Sequence, residues 1–411
     1  MTTVNNELPI KDLESVLQEH IGKKLKIKNL DWKHLTDPGE NFGSLILAIN
    51  LTVGENGFTK KFHLVAKLPP KSDYLLDLFN SPMSFYKEIY FYKVITPEFL
   101  QFQLSFDIDK QELIELVPQY FGGRLGFKDH DKFDDQATIL LENLKIQGYE
   151  TEDRIMGMDK KHMLFAIKKL ARLHALTIAY KMKKPKEFKS LILPGLQNAF
   201  NKESIIGLQD MINKAIGNLN TLKEVELQMP SVIKTMEYGA STMELQPKEP
   251  WATLVHSDFW VNNMLFLHDD KKSENIIDMK IVDLQLTQYE DGCLDLIFMI
   301  MSSAKANVID ENLDEMIDTY YTSFIDCLKI FHVDVKQFPR DEFNKNIQES
   351  AKRRLDQCVM MVQVIQAKRG SARRVDNIKN KENFLDMGRS KENDEKLIHI
   401  VKTYEKRGWF C

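Results

Sequence analysis

Cysteine is scarce in this chain of 411 residues: Cys293, Cys327, Cys358 and Cys411 stand far apart. None has the close spacing of a metal clip or a disulfide framework, and such usage suits a reducing, cytoplasmic setting. Charge of one sign is lacking too. The 56 lysines and arginines against 60 aspartates and glutamates leave a net charge of −4, so nothing draws the whole chain to nucleic acid or to an anionic membrane. The longest mostly apolar runs, 296–301 and 358–365, fall well short of a membrane span. The opening residues have no basic stretch ahead of an apolar core, so no secretory signal is expected, and Cys411 at the end leaves no C-a-a-X box. With 43% hydrophobic and 28% charged residues and no low-complexity segment, the chain reads as globular. At roughly 100–200 residues per domain, its length suits a two-lobed molecule.

The pattern changes near residue 145. Before it, β-rich runs alternate with turns. The apolar spacing of Leu13, Val16 and Leu17 predicts a short helix over 11–20. Strands are expected over 24–35, 44–53 and 58–68, divided by turns at Pro38–Gly43 and at Gly54 to Gly57. Pro69 and Pro70 end the third strand because proline has no N–H for the ladder. A helix over 84–94 presents Phe85, Glu88, Ile89 and Tyr92, and runs at 113–119 and 138–141 complete an expected five-stranded antiparallel sheet. After 145, helical periods dominate at 159–181, 198–219, 231–245 and from 294 to 402. Short strands interrupt them at 254–256, 264–268 and 275–284. The expected fold is therefore α+β and bilobal: residues 1–145 form a β-rich lobe, residues 146–411 a larger helical lobe, and 142–145 a hinge.

One stretch carries chemistry. Residues 254–263 contain His256, Asp258 and Asn263 in the form H-x-D-x-x-x-x-N, and Asp283 follows at the end of a later strand. Phosphoryl transfer relies on positioning and a divalent cation, so it needs few protein groups. One carboxylate must orient or accept the proton of the attacking hydroxyl. A carboxamide and a second carboxylate must offer hard oxygen ligands to the metal. Asp258, Asn263 and Asp283 supply those parts in the required order. Lys67, in the third strand, sits where a kinase keeps the lysine that contacts phosphates, and Glu88 falls mid-helix in the next element, placed to pair with it. Gly39 and Gly43 lie in the first hairpin turn, where backbone can approach phosphate unhindered. Glu142, Asn143 and Leu144 form the stretch expected to read adenine through backbone groups.

This ordered set, with Leu170-Ala171-Arg172-Leu173-His174-Ala175 and Phe85-Tyr86-Lys87-Glu88-Ile89, resembles the ecdysteroid kinase-like family. That family is a branch of the choline-kinase and aminoglycoside-phosphotransferase-like superfamily. The resemblance spans about residues 35 to 330 and implies a protein-kinase-like fold with an αC-type helix. It also implies ATP and Mg²⁺ as cofactors and a small-molecule hydroxyl acceptor, an ecdysteroid or a xenobiotic metabolite. By that resemblance Asp258 is the catalytic base, Asn263 and Asp283 hold Mg²⁺, and Lys67 with Glu88 positions the triphosphate. His256 would orient the loop, set against Asp295 as a buried structural aspartate. Asp283-Leu284-Gln285 stands in place of D-F-G and no A-P-E follows, which favours a small acceptor over a peptide.

Other residues read as structure. His174 lies on an apolar helix face and is taken as core. Tyr320, Tyr321 and Phe324 form a helical stripe of the same kind, and Lys368, Arg369, Arg373 and Arg374 read as a solvated loop. Two other functions are weighed: a pseudokinase-like binding protein, and a choline- or ethanolamine-type kinase, which needs an acidic, aromatic cage for its cationic acceptor. Neither nucleic acid, membrane nor an obligate protein partner is expected.

Overall fold

The computed structural model describes residues 7–21, 25–36, 43–55, 58–109, 112–242, 245–269, 275–367, 377–386 and 388–411. The chain begins with α1 (Leu13–Ile21), then β1 (Lys26–His34), β2 (Leu45–Glu55) and β3 (Phe58–Leu68) as successive antiparallel neighbours. Helices α2 (Asp73–Leu78) and α3 (Ser81–Tyr90) follow, and α3 runs through a π turn at Phe91–Ile95 into α4 (Thr96–Leu104). Strands β4 (Tyr120–Arg124) and β5 (Thr138–Glu142) close a five-stranded antiparallel sheet in the order β1-β2-β3-β5-β4. Its inner residues Leu47, Ile49, Leu64, Ala66 and Leu140 pack with Leu13, Val16 and Leu17 of α1 into one apolar cluster. Period-2 alternation on the strands and the helical spacing on α1 supply the two faces of that cluster.

The fifth strand departs from expectation. Residues 113–119 do not join the sheet; 120–124 do. Apart from the Gln119 carbonyl, which accepts from Glu142 N–H of β5 at 2.8 Å, the 113–119 backbone bonds elsewhere: Ile114 N–H donates to the Gln103 side chain at 2.7 Å, and the Leu116 carbonyl accepts from Ile281 N–H at 2.6 Å. The real strand contains Gly122 and Gly123, which lower β-propensity. The site nevertheless demands glycine at 122. Its φ is +141°, and a Cβ there would lie 2.2 Å from the Val16 carbonyl oxygen of α1.

The remainder is mostly helical. α5 (Lys160–Lys183) starts at Asp159, whose side chain accepts from His162 N–H. A short α6 (Pro185–Glu187) leads to α7 (Lys202–Leu219), capped by Asn201, and then α8 (Met229–Ser241). Next come β6 (Ala252–Val255), β7 (Met264–His268), β8 (Ile276–Ile281) and β9 (Gln288–Asp291); β6 pairs with β9, and β7 with β8. β9 has no counterpart among the strands expected from sequence. Helices α9 (Cys293–Ser303), α10 (Ala306–Ile330), α11 (Arg340–Ile365), α12 (Lys381–Leu385) and α13 (Lys391–Arg407) complete the chain. Among the described residues no helix is long and apolar enough to cross a membrane. The α+β, bilobal, protein-kinase-like architecture is thus an antiparallel sheet with its αC-type helix α3, followed by a helical remainder.

Candidate functional site

Strand β3 and helix α3 meet at a buried ion pair. Lys67 Nζ donates to Glu88 Oε2 at 2.5 Å and to Asp283 Oδ1 at 2.6 Å, with Gln285 Oε1 at 3.3 Å. Burial opposes charge on Lys67, but Asp283 and Glu88 outweigh it and hold the ammonium above the usual lysine range. Asp283 itself adopts φ 66°, ψ 60°. Aspartate tolerates this left-handed conformation better than most side chains, and it turns the chain sharply between β8 and the Leu284–Leu286 turn.

The loop 256–263 is held from behind. Asp295 is fully buried at the first turn of α9 and accepts from His256 N–H at 2.6 Å and Ser257 N–H at 2.9 Å. Burial pushes its pKa up, but the contact with His174, whose Nε2 lies 3.5 Å from Oδ2, outweighs this and keeps Asp295 below the ordinary carboxylate value. Tyr320 Oη meets the other His174 ring nitrogen, Nδ1, at 2.7 Å. His256 is also fully buried, and burial lowers its pKa, so its ring is neutral near pH 7. Nε2–H donates to the Val282 carbonyl at 3.0 Å, which leaves Nδ1 to accept from Asp258 N–H at 3.3 Å. One imidazole therefore ties Asp258 to the turn that carries Asp283. It is the His256 backbone, not its ring, that meets Asp295.

Asp258 and Asn263 face the cavity together. Asn263 Nδ2 donates to the Asp258 carbonyl at 2.9 Å and to its carboxylate Oδ2 at 3.2 Å. Burial, then the charge of Asp283, push the Asp258 pKa up to about 7 against the hydrogen bonds from Asn263 and Trp260. The charge of Asp283 raising the proton affinity of Asp258, beside an amide, marks a set of hard oxygen donors that a divalent cation such as Mg²⁺ would relieve of repulsion. The residues fit that ion.

These groups line one cavity of about 960 Å³. Ile46, Val65 and Leu141 from the sheet face Leu144, Leu265 and Val282, leaving an apolar slot beside 142–145. Asn143 N–H donates to the His63 carbonyl at 3.0 Å, so the segment leaves the sheet with its backbone held. Asn143 Oδ1 is buried with no partner among the described residues. Glu142, which also lines the cavity, accepts from Gln147 Nε2 through Oε1. Gly43 also lines the cavity, where a Cβ would sit 3.3 Å from the Phe79 ring, whereas Gly39 lies outside the described residues.

The sequence model of the Ecdysteroid kinase-like family matches residues 38–333. The chain belongs to that family. It is a family of small-molecule kinases. No curated protein matches the chain. Among solved structures, a Plasmodium vivax ethanolamine kinase is 10% identical, with a TM-score of 0.44 over 92% of this chain and 84% of that one. An aminoglycoside 2'-phosphotransferase solved with GDP is 12% identical (TM-score 0.38; 84% and 98% covered). A choline/ethanolamine kinase family protein from Mesorhizobium loti is also 12% identical (0.37; 90% and 92%).

This member of the ecdysteroid kinase-like family has cavity residues that no motif announces. Ile205, Leu208, Met211 and Ile212 of α7 face Met360, Met361 and Val364 of α11 across the same cavity, with Phe79, Phe200 and Phe384 at the margin. This wall is mostly aliphatic and methionine-rich. α11 also brings Arg353, which forks onto Glu290 at 3.0 and 3.2 Å, and Gln357, whose amide donates to the Ser257 carbonyl at 2.7 Å. Tyr320 and Phe324 stack at 6.1 Å as core, in keeping with their helical stripe. Lys87, next to Glu88 in the chain, turns away from it. It is buried, donates to the Gln197 and Thr287 carbonyls, and burial lowers its pKa to about 7. The basic cluster at 368–374 lies outside the described residues.

Proposed function

We propose that the chain transfers the γ-phosphoryl group of ATP to a hydroxyl of an ecdysteroid or a similar lipophilic metabolite. The observation that carries this reading is the shared cavity: the α7–α11 apolar wall opens onto the same space as Asp258, Asn263, Asp283 and Lys67. A large apolar acceptor can bury its rings on that wall while presenting an oxygen to Asp258. Bound Mg²⁺, held by Asn263 and Asp283, would neutralise charge on the triphosphate oxygens.

The protein groups do the rest. Adenine enters the slot beside Glu142, Asn143 and Leu144, and Lys67, braced by Glu88, donates to phosphate oxygens. The Asp258 carboxylate takes the proton of the attacking hydroxyl; a pKa of about 7 suits a base working near neutral pH. His256 and Asp295 act by holding the loop in place. We place the division between nucleotide-binding and acceptor-binding portions at residue 145, so that 1–145 and 146–411 close on the two substrates. A cationic acceptor such as choline is favoured less, since α11 brings two arginines, Arg353 and Arg354, to the cavity against one acid, Asp356, and Glu290 is already paired with Arg353.

The test is product formation from Mg-ATP with a panel of ecdysteroids, plant glycosides and choline, read by mass spectrometry. A phosphate ester on a lipophilic acceptor, lost in Asp258→Ala, is expected. Turnover of choline alone would replace the acceptor assignment. Tight steroid binding without ester from any acceptor would favour a carrier over an enzyme.

A further inference from the structure

On the helical side, remote from Asp258 in role, three metal-type side chains converge. Glu152, His162 and His268 each point one donor atom at a common space, and all these atoms lie within 4.8 Å of one another. His162 Nε2 is 3.2 Å from His268 Nε2 and 3.2 Å from Glu152 Oε1. With metal–nitrogen bonds of 2.0–2.1 Å, two ligands on a tetrahedral zinc ion stand about 3.3 Å apart. Both separations match that edge.

The second shell is also built. Asp159 Oδ1 accepts from the His162 backbone N–H at 3.0 Å and meets its ring Nδ1 at 2.9 Å. A carboxylate on Nδ1 keeps the proton there and leaves the Nε2 lone pair for a metal, the arrangement found behind many zinc-bound histidines. The ring is further fixed edge-on to Phe266 at 5.0 Å. A single His162 Nε2–H cannot point at both Glu152 and His268, whereas an ion between the three satisfies all of them.

We propose that Glu152, His162 and His268 bind a divalent transition-metal ion of the zinc class, with solvent in the fourth position. Imidazole ligands select such ions over Mg²⁺, which prefers oxygen alone. The site joins the segment after 142–147, the first turn of α5 and the end of β7. Glu150 and Phe266 already exchange backbone hydrogen bonds there, at 2.8 and 2.9 Å. Because β7 begins directly after Asn263, an ion here stiffens the hairpin that carries the candidate Mg²⁺ ligands without taking part in phosphoryl transfer.

The experiment titrates chelator-stripped full-length protein with Zn²⁺ in excess Mg²⁺ by calorimetry, then with Co²⁺ by visible absorption. Expected are one tight equivalent of zinc, a four-coordinate cobalt spectrum and a zinc-dependent rise in melting temperature. His268→Gln and Glu152→Gln, on partly exposed side chains, should fold as the wild type does by circular dichroism yet lose the zinc-dependent rise. Asp159→Asn should weaken binding about 10–100-fold. No zinc uptake by the wild type, or uptake unchanged in both His268→Gln and Glu152→Gln, would overturn the proposal and leave His162 as a histidine ion-paired between Glu152 and Asp159.

Discussion

Lys67 and Asp283 lie 216 positions apart in the chain, yet the lysine ammonium donates to the aspartate carboxylate at 2.6 Å. The same nitrogen holds Glu88 at 2.5 Å. A β-strand, a helix and the turn after β8 thus converge on one cation, and two of the three charged groups, Lys67 and Glu88, are almost wholly buried. Removing one member of such a group strands the others in a medium that solvates them poorly.

Lys67→Met should therefore do two things. It leaves Glu88 buried without its cation, at a cost of about 3–5 kcal/mol in stability measured by denaturant titration. It also removes a donor to the phosphates, lowering kcat about 10²–10³-fold. The double variant Lys67→Met/Glu88→Gln should regain much of the stability and none of the activity. Recovery of turnover in the double variant would contradict the phosphate role.

The acid limb of the pH–rate profile should report Asp258. Its carboxyl is pushed from 3.8 to about 7, by burial and then by Asp283, so kcat/KM should rise with pH through about 7 and level off above it. Asp283→Asn removes the second of those causes, and residual activity should show its limb displaced to lower pH. Stability runs the opposite way. Between pH 4 and 7 the folded chain keeps a proton that the unfolded chain has lost, so this group's contribution to stability falls as pH rises through that window. Asp258→Asn should accordingly melt higher than the wild type at pH 8 while losing about 10²–10⁴ in turnover.

Asp295 should act through the loop it holds. Asp295→Ala leaves the His256 and Ser257 N–H groups without their acceptor in a fully buried site, and a loss of about 3–5 kcal/mol is expected on the scale of other broken buried charge networks. Asp295→Asn retains one acceptor oxygen. It should fold and bind ATP with little change in KM while kcat falls, because Asp258 is displaced and the nucleotide slot is not. Equal effects on both constants would argue against a positioning role.

The parts of the site legible in the sequence were those whose chemistry is local or strongly typed. His256, Asp258 and Asn263 fall within one loop, and Lys67, Glu88 and Asp283 stand on elements recognisable from alternation and helical spacing. Other groups depend on packing that no short pattern encodes. Gln357 reaches Ser257 from a helix 100 positions later, and the apolar wall is formed by α7 and α11, each of which reads in isolation as an ordinary amphipathic helix. Gln285, the third partner of Lys67, was visible as the last residue of Asp283-Leu284-Gln285 but carried no signal of its contact. The sheet was legible as five antiparallel strands, apart from one misassigned member, and that error has a physical cause: at β4 the demand for a close approach overrides strand propensity.

Gly122 makes that demand testable. The helix α1 packs on β4 so tightly that a Cβ at 122 would meet the Val16 carbonyl oxygen at 2.2 Å, and φ of +141° is itself unfavourable for a side chain. Gly122→Ala must push α1 away from the sheet or twist β4 out of register with β5, while leaving every group near Asp258 untouched. The expected result is a loss of at least about 1–3 kcal/mol in thermal or denaturant unfolding. Gly217→Ala, in the last turn of α7 with open space around its Cβ, should instead be neutral or stabilising by up to about 1 kcal/mol. If the two substitutions behave alike, backbone contact between α1 and β4 is not what keeps glycine at 122.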